Sequence, residues 1–378
     1  MYYLKKIGIS ALNSFKSKKL EEKIIVFESD DWGSIRTPNL KAAEQVKLYG
    51  GYTSEAAYLN VDTLENESDV KKLFETLLAF KDIDGNHPII TANYVMANPD
   101  FDKIKASNFS QYFYKPFPDT YQEYFGSNQI LKTVKEGISS KLFYPQFHGR
   151  EHVNVPLWLD LLQNGDKAFL VAFENNFFGI HTANLEKIKR NVQIAFDLVD
   201  DSTYLLSNIK EGLALFNEIF GFKSKSFIPN NYVWDQNWNK ILAENEIAYL
   251  QGVRIQSGPL SSNKENKRKQ TKRWGGCYEN NKIISIVRNG SFEPSFSKYT
   301  GKTAIERCLN DIAVAFLFKQ PAVISTHRLN FVSSLNQKNR DINLEYFSEL
   351  LDLILKKWPE VKFMNTEQLG NQYKEKLA

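Results

Sequence analysis

The chain has 378 residues, 42% hydrophobic and 24% charged, with a formal net charge of +4. That is the balance of a soluble globular protein with room for one or two large cores, and its mild charge gives no reason to invoke a nucleic-acid partner. No segment approaches the roughly 20 apolar residues of a membrane-spanning helix, and Cys277 and Cys308 match no zinc-ribbon or redox spacing, which fits a reducing compartment.

Residues 1–22 read as a basic, amphipathic extension. Lys5-Lys6, the stretch Ile7–Phe15 and Lys16-Ser-Lys-Lys19 make a poor secretory signal but could rest on a membrane surface or on the domain. From residue 23 to 378 the pattern is that of a single domain. The first strand, Ile24–Glu28, runs into Ser29-Asp30-Asp31-Trp32-Gly33, and helical periodicity follows over Asn39–Lys47 and Ser68–Lys81. A strand over Pro88–Tyr94 precedes the stretch from Ala97 to Ser127, which has no clean period and reads as an insertion forming an active-site wall. The strand Leu142–Phe147 leads into His148-Gly-Arg-Glu-His152. Asn154 and Pro156 then mark the start of a helix over Val155–Asn164. Next come a strand at Ala168–Phe173, a helix at Tyr204–Ile219 and a strand at Lys225–Ile228 that ends at Asn230-Asn231. A helix at Asp235–Glu244 and a strand at Ala248–Val253 precede the basic run Lys264–Arg273, read as an exposed loop or a contact for an anionic glycan or lipid head group. Strands at Ile283–Val287, Ala322–Thr326 and Val361–Met364 alternate with helices at Ala304–Phe318 and Asn343–Lys357.

Strand-then-helix alternation predicts an α/β fold with a mostly parallel sheet, better closed as a barrel than split into two open sheets. In such folds the carboxyl ends of the strands share one face and build the site. Asp30-Asp31, His148, Asn230-Asn231 and His327 all follow strands, so they are expected to converge. His148 and His152 with Asp31 would then offer two imidazoles and a carboxylate to Zn²⁺, or to Co²⁺, Fe²⁺, Ni²⁺ or Mn²⁺. Such an ion lowers the pKa of its water and polarises a carbonyl. Asp30 could accept the water's proton and His327 could protonate a leaving group. Arg36, Arg288 and Arg328 are candidates to hold Asp30 charged and aimed. Asn230, Asn231 and Trp234, together with Trp32 and Arg288, are candidates for substrate contact; an indole can cover a sugar's apolar side.

Asp30-Asp31, His148-x-x-x-His152 and Thr326-His327 occur in the order and setting of polysaccharide deacetylases, the metal-dependent enzymes of carbohydrate esterase family four, and the chain resembles them from about Ile24 to about Leu369. The resemblance implies a distorted (β/α)7 barrel with loop insertions, a divalent metal on Asp31, His148 and His152, Asp30 as base and His327 as acid. The expected activity is removal of an acyl group, above all N-acetyl, from a sugar in a glycan or glycan precursor, in the cytoplasm during bacterial surface-polysaccharide assembly. Trp32 stands where the family has the glycine of Asp-Asp-Gly, with Gly33 after it. Ser226-Phe-Ile-Pro229-Asn230 lacks the arginine of the family's Pro motif, and Arg288 is the preferred substitute. Ser325 stands where a leucine lines the family's acetyl pocket.

Other readings differ in which residues do the work. His148-Gly-Arg-Glu151-His152 fits the H-x-x-E-H motif of inverted-motif zinc peptidases, with Glu151 as base, but that motif needs both histidines inside one helix. Two histidines and an aspartate also suit an iron-dependent oxygenase, though not on an alternating α/β pattern. A metal-free glycoside hydrolase would need a bulge to turn adjacent Asp30 and Asp31 to one side. A non-catalytic glycan-binding protein on the same fold is the remaining alternative. The sugar, the native metal and the oligomeric state are open.

Overall fold

A computed structural model describes residues 16–197, 202–260, 267–296, 298 and 301–377. The extension up to residue 15 and the start of the basic run lie outside the described residues. Eight strands follow one another in a curled, all-parallel sheet: β1 (Ile24–Trp32), β2 (Ile90–Tyr94), β5 (Phe143–Phe147), β6 (Ser226–Phe227), β7 (Tyr249–Gly252), β10 (Ile284–Val287), β11 (Gly290–Ser291) and β12 (Ala322–His327). Their spatial order is β10-β7-β6-β5-β2-β1-β12-β11, with β13 (Lys362–Phe363) added beside the start of β1. Two antiparallel hairpins stand outside it, β3 (Ala97–Pro99) with β4 (Tyr114–Pro116), and β8 (Ile255–Leu260) with β9 (Arg268–Lys272).

The sheet's two end strands, β10 and β11, are consecutive in the chain. Between them the Arg288 N–H bonds to Gly252 O at the end of β7, and the Asn289 N–H bonds to Val323 O on β12. One short segment thus serves both ends of the sheet and curls it nearly shut.

All nine residues of β1 are buried, as expected for a central parallel strand covered on both sides. Alternate side chains share a face, and the face carrying Ile24, Val26, Glu28 and Asp30 changes from apolar to ionisable towards its carboxyl end. Ile24 and Val26 pack with Tyr249, Ile284, Ile286 and Val323, and Leu369 and Tyr373 of the helix Thr366–Leu377 cover that layer. The opposite face, with Ile25 and Phe27, packs against Phe347, Leu350 and Leu351 of the helix Gln337–Lys357. The apolar end therefore anchors the sheet, and the carboxyl end is left for chemistry.

Three expectations need correction. Ala168–Phe173 is part of a helix, Lys167–Glu174, whose N-cap Asp166 accepts from the Ala168 and Phe169 amides; its buried residues are Ala168, Phe169, Ala172 and Phe173. A short apolar run does not distinguish strand from helix, and here the cap and the four-residue spacing decide. The stretch from Ala97 to Ser127 is an ordered hairpin with the helices Phe101–Ala106 and Phe117–Phe125, and none of its residues lines the cleft described below. The described part of the basic run is strand β9, not a loop: Arg268 pairs with Asp197 and Arg273 is buried against Glu279, while Lys267, Lys269 and Lys272 are exposed.

Candidate metal centre and catalytic cleft

The acidic doublet works because β1 is bulged. Ser29 pairs with Ala92 and Trp32 with Tyr94, so two residues of β1, Asp30 and Asp31, face one of β2, Asn93. The extra residue lets both carboxylates reach the same end of the sheet. Asp31 takes a φ of 77°, a conformation that aspartate tolerates better than most side chains. Gly33 follows at φ 78°, where a Cβ would lie 2.7 Å from Val95 O, so glycine is needed one residue later than the family pattern has it. Trp32 is fully buried between Tyr94 and Phe143 and donates to Ser29 Oγ; it is a core residue, not a substrate contact.

Asp31 Oδ1 lies 3.5 Å from His148 Nε2 and 3.4 Å from His152 Nε2. These spacings exceed the about 2.7–3.2 Å of ordinary hydrogen bonds. They match the edge of about 3.3–3.4 Å that a tetrahedron has when its metal–ligand bonds are about 2.0–2.1 Å. His148 Nδ1 donates to Ile228 O at 2.8 Å, which turns Nε2 toward the centre. Burial, helped by the charge of Arg36, holds the His152 pKa well below the ordinary imidazole value, so this ring is neutral and fit to ligate. Among the described residues no other group of three His, Cys, Asp or Glu donors converges in this way. The donor set thus fits a divalent cation, with a hard carboxylate and two imidazoles suited to zinc-like ions.

The buried carboxylates around the centre fall into three ion-paired groups: Asp31, Asp62 and Glu65 with Arg36 and Arg328, Glu28 and Asp30 with Arg288, and Glu293 with His327. Arg36 joins Asp31 (3.0 Å) to Asp62 (3.4 Å), Arg328 joins Asp62 (3.1 Å) to Glu65 (2.6 Å), and Glu65 accepts the Gly33 amide (2.8 Å). This chain of ion pairs straps the loop after β1. Arg36 and Arg328 therefore hold the loop after β1 and do not pair with Asp30.

Arg288 is the partner of Asp30. It binds both carboxylate oxygens, at 2.6 and 2.7 Å, while its Nε donates to Glu28 at 2.6 Å and Nη1 also reaches Tyr232 Oη and Ser325 Oγ. Burial opposes ionisation of Asp30, but the Arg288 charge and hydrogen bonds outweigh it and hold the carboxyl below its ordinary range. Asn93 donates to Asp30 Oδ1 at 2.7 Å, and its amide is fixed in turn by reciprocal 3.0 Å bonds with Gln251.

His327 is the direct register partner of Asp30 on β12. Its Nδ1 lies 2.6 Å from Glu293 Oε1, leaving Nε2 as the group free for the cleft. Burial disfavours charge on this ring, but Glu293, with Asp31 and Asp30, outweighs it and pushes the pKa up to about 10. The imidazolium therefore contributes stability that is complete below the ordinary pKa of 6.5 and disappears as pH rises through about 10. Glu293→Gln removes the main support of that charge. The alkaline limb of the activity profile should then move to lower pH, and a profile that keeps its alkaline limb would separate Glu293 from the acid.

The cleft has a volume of about 210 Å³ and is lined by Asp30, Asp31, His148, His152 and His327 with Arg36, Ser54, Tyr58, Asn191, Gln193, Pro229, Asn231 and Tyr232. Asn231 thus lies on the wall. Asn230 is fully buried behind it, donating to His148 O at 2.9 Å, so it steadies the His148 backbone. Trp234 is buried between Phe196 and Phe227 and donates to Asn239; no part of it lines the cleft. Glu151 is locked by Arg150, Tyr204 and Asn208, and the helix begins only at Val155. An inverted-motif peptidase would lack both its base and its helix here.

No protein-family model matches the sequence, and no curated protein matches it. Among solved structures, a candidate glycoside hydrolase/deacetylase from Parabacteroides distasonis is similar at 8% identity over 95% of this chain and 72% of that one, with a TM-score of 0.51. A candidate polysaccharide deacetylase from Mycobacterium smegmatis is 10% identical over 96% and 93% of the two chains, with a TM-score of 0.46. An allantoinase is 10% identical over 94% and 91%, with a TM-score of 0.45. The first of these likenesses places the fold among structures of the glycoside hydrolase/deacetylase kind, and at such identity it is a likeness of fold alone.

Proposed function

We propose that the chain is a metal-dependent hydrolase that removes an acyl group, most readily N-acetyl, from a sugar of a glycan or glycan precursor, on a distorted barrel of seven strands in which Ile284–Ser291 counts as one. The observation that carries this reading is the meeting of Asp31 Oδ1 with two imidazole Nε2 atoms, 3.5 and 3.4 Å away, beside an arginine-held carboxylate and a glutamate-held imidazolium on neighbouring strands.

Asp31, His148 and His152 would hold the cation, which when bound would acidify a water and polarise the acyl oxygen. Asp30 Oδ1 accepts from both Arg288 and Asn93, whereas Oδ2 accepts from Arg288 alone and keeps a lone pair for the water's proton. The water oxygen then bonds to the acyl carbon. As the carbon–nitrogen bond breaks, His327 Nε2 gives its proton to the departing amine. Arg288 and Glu293 keep base and acid in opposite protonation states at neutral pH, a division that acid–base catalysis requires. Asn231, Asn191, Gln193 and Ser54 give the wall paired donors and acceptors suited to a polyol.

The test is acetate release from N-acetylated sugars and oligosaccharides by the metal-loaded protein, with and without a chelator. Chelator-sensitive release supports the reading. Stoichiometric metal and tight glycan binding with no release from any of them would instead favour a glycan-binding protein on the same fold.

A further inference from the structure

Tyr58 takes no part in the mechanism above, yet it stands on the wall of the cleft beside the acid. It lies on the short helix Ala57–Asn60, half-buried, and its ring meets His327 edge-on at 6.0 Å between centroids. Its position is built, not incidental. Ala57 and Val61 pack on Leu329, two residues beyond His327, and Phe296 lies 5.6 Å from the Tyr58 ring. The Thr37 hydroxyl donates to Tyr58 O at 3.0 Å, and the Thr37 amide bonds to Asp62 O at 3.1 Å.

The charged groups acting on the Tyr58 hydroxyl are Asp31, Glu293, Asp62 and Arg36. Each carboxylate already has its cation or imidazolium: Asp31 has Arg36, Asp62 has Arg328, and Glu293 has His327. Among the described residues the phenol makes no hydrogen bond. A phenol's ordinary pKa of about 10 keeps the proton on oxygen at neutral pH. Tyr58 therefore brings an O–H donor to the cleft that also holds Asp30, Asp31 and His327.

We propose that the Tyr58 hydroxyl donates a hydrogen bond to the acyl oxygen as it becomes an oxyanion. This rests on the hydrolase reading. When water adds to the acyl carbon, the carbonyl π pair moves onto oxygen; when the amine leaves, that pair re-forms the C=O bond. The phenol proton is not transferred, and the hydrogen bond strengthens only while the charge is on oxygen. A donor of this kind is worth about 10²–10³-fold in turnover.

Tyr58→Phe removes the donor and keeps the ring against His327. On N-acetylglucosamine oligomers kcat should fall by about 10²-fold while KM and metal content stay at parent values. Binding supplies a second readout. The methylphosphonamidate of glucosamine, a mimic of the tetrahedral species, should bind the variant about 10²-fold more weakly, and N-acetylglucosamine should bind both proteins alike. An unchanged kcat, or equal weakening for both probes, overturns the proposal; the latter makes Tyr58 a simple substrate contact. If the parent binds the phosphonamidate but releases no acetate from any N-acetylated sugar, the hydrolase reading fails and this inference falls with it, whereas a failure seen only in the variant counts against Tyr58 alone.

Discussion

Replacing Asp30 with Asn should cut kcat by about 10²–10⁴-fold, the range that positioned general bases contribute, while metal content stays at the parent level. The amide keeps the shape of the carboxylate and one acceptor, so Asn93 and Arg288 retain part of their contacts. It removes the basic lone pair on Oδ2. Asp31, on the other side of the bulge, still has Arg36 and both histidines. Turnover and metal binding are therefore separable at adjacent residues. A variant that lost both together would show that the doublet acts as one ligand unit, and wild-type turnover would remove Asp30 as the base.

The largest cost to stability is expected for Arg288→Ala. The guanidinium is buried and pairs with Glu28 and Asp30 at once, both buried as well. Removing one partner of a buried pair leaves an uncompensated charge and costs about 3–5 kcal/mol; here two carboxylates lose their partner at once. Urea denaturation at neutral pH should register that loss. In the parent, the Asp30 contribution is present above the ordinary carboxyl pKa of 3.8 and is lost as pH falls through its lowered folded value. In the variant the sign reverses, because protonation relieves the unpaired carboxylates, so the gap between parent and variant should narrow as pH falls. Adding Glu28→Gln should recover part of the loss. A gap that does not depend on pH would mean that Arg288 stabilises by packing and not by charge. Arg288→Lys should be only a partial remedy, since an ammonium cannot bind Asp30 through two parallel bonds while reaching Glu28.

The sheet was legible because its strands are apolar runs ending in polar fragments, and the register that sets Asp30 beside His327 follows from parallel pairing of two such strands. The bulge at Asp31 could not be read, since it depends on how β1 meets β2. Trp32 and Trp234 were misplaced for a common reason. Trp32, next to Asp31 in sequence, and Trp234, two residues past the cleft-lining Tyr232, both turn into the core. Glu293, Asn93 and Gln251 left a fainter signal, as polar side chains at alternate positions of otherwise buried strands or just past a strand's end. Asp62, Glu65 and Tyr58 lie in a stretch with no strand or long helix, so only the folded chain shows that they come back to the loop after β1.

The central claim is that Asp31, His148 and His152 grip one divalent cation. Elemental analysis of the purified protein, after loading with Zn²⁺ and removal of free metal, tests it most directly when done beside Asp31→Ala and His148→Ala. The account predicts one equivalent per parent chain and a loss of at least 10-fold in affinity in each variant. A parent that retains no metal, or variants that retain a full equivalent, would contradict it.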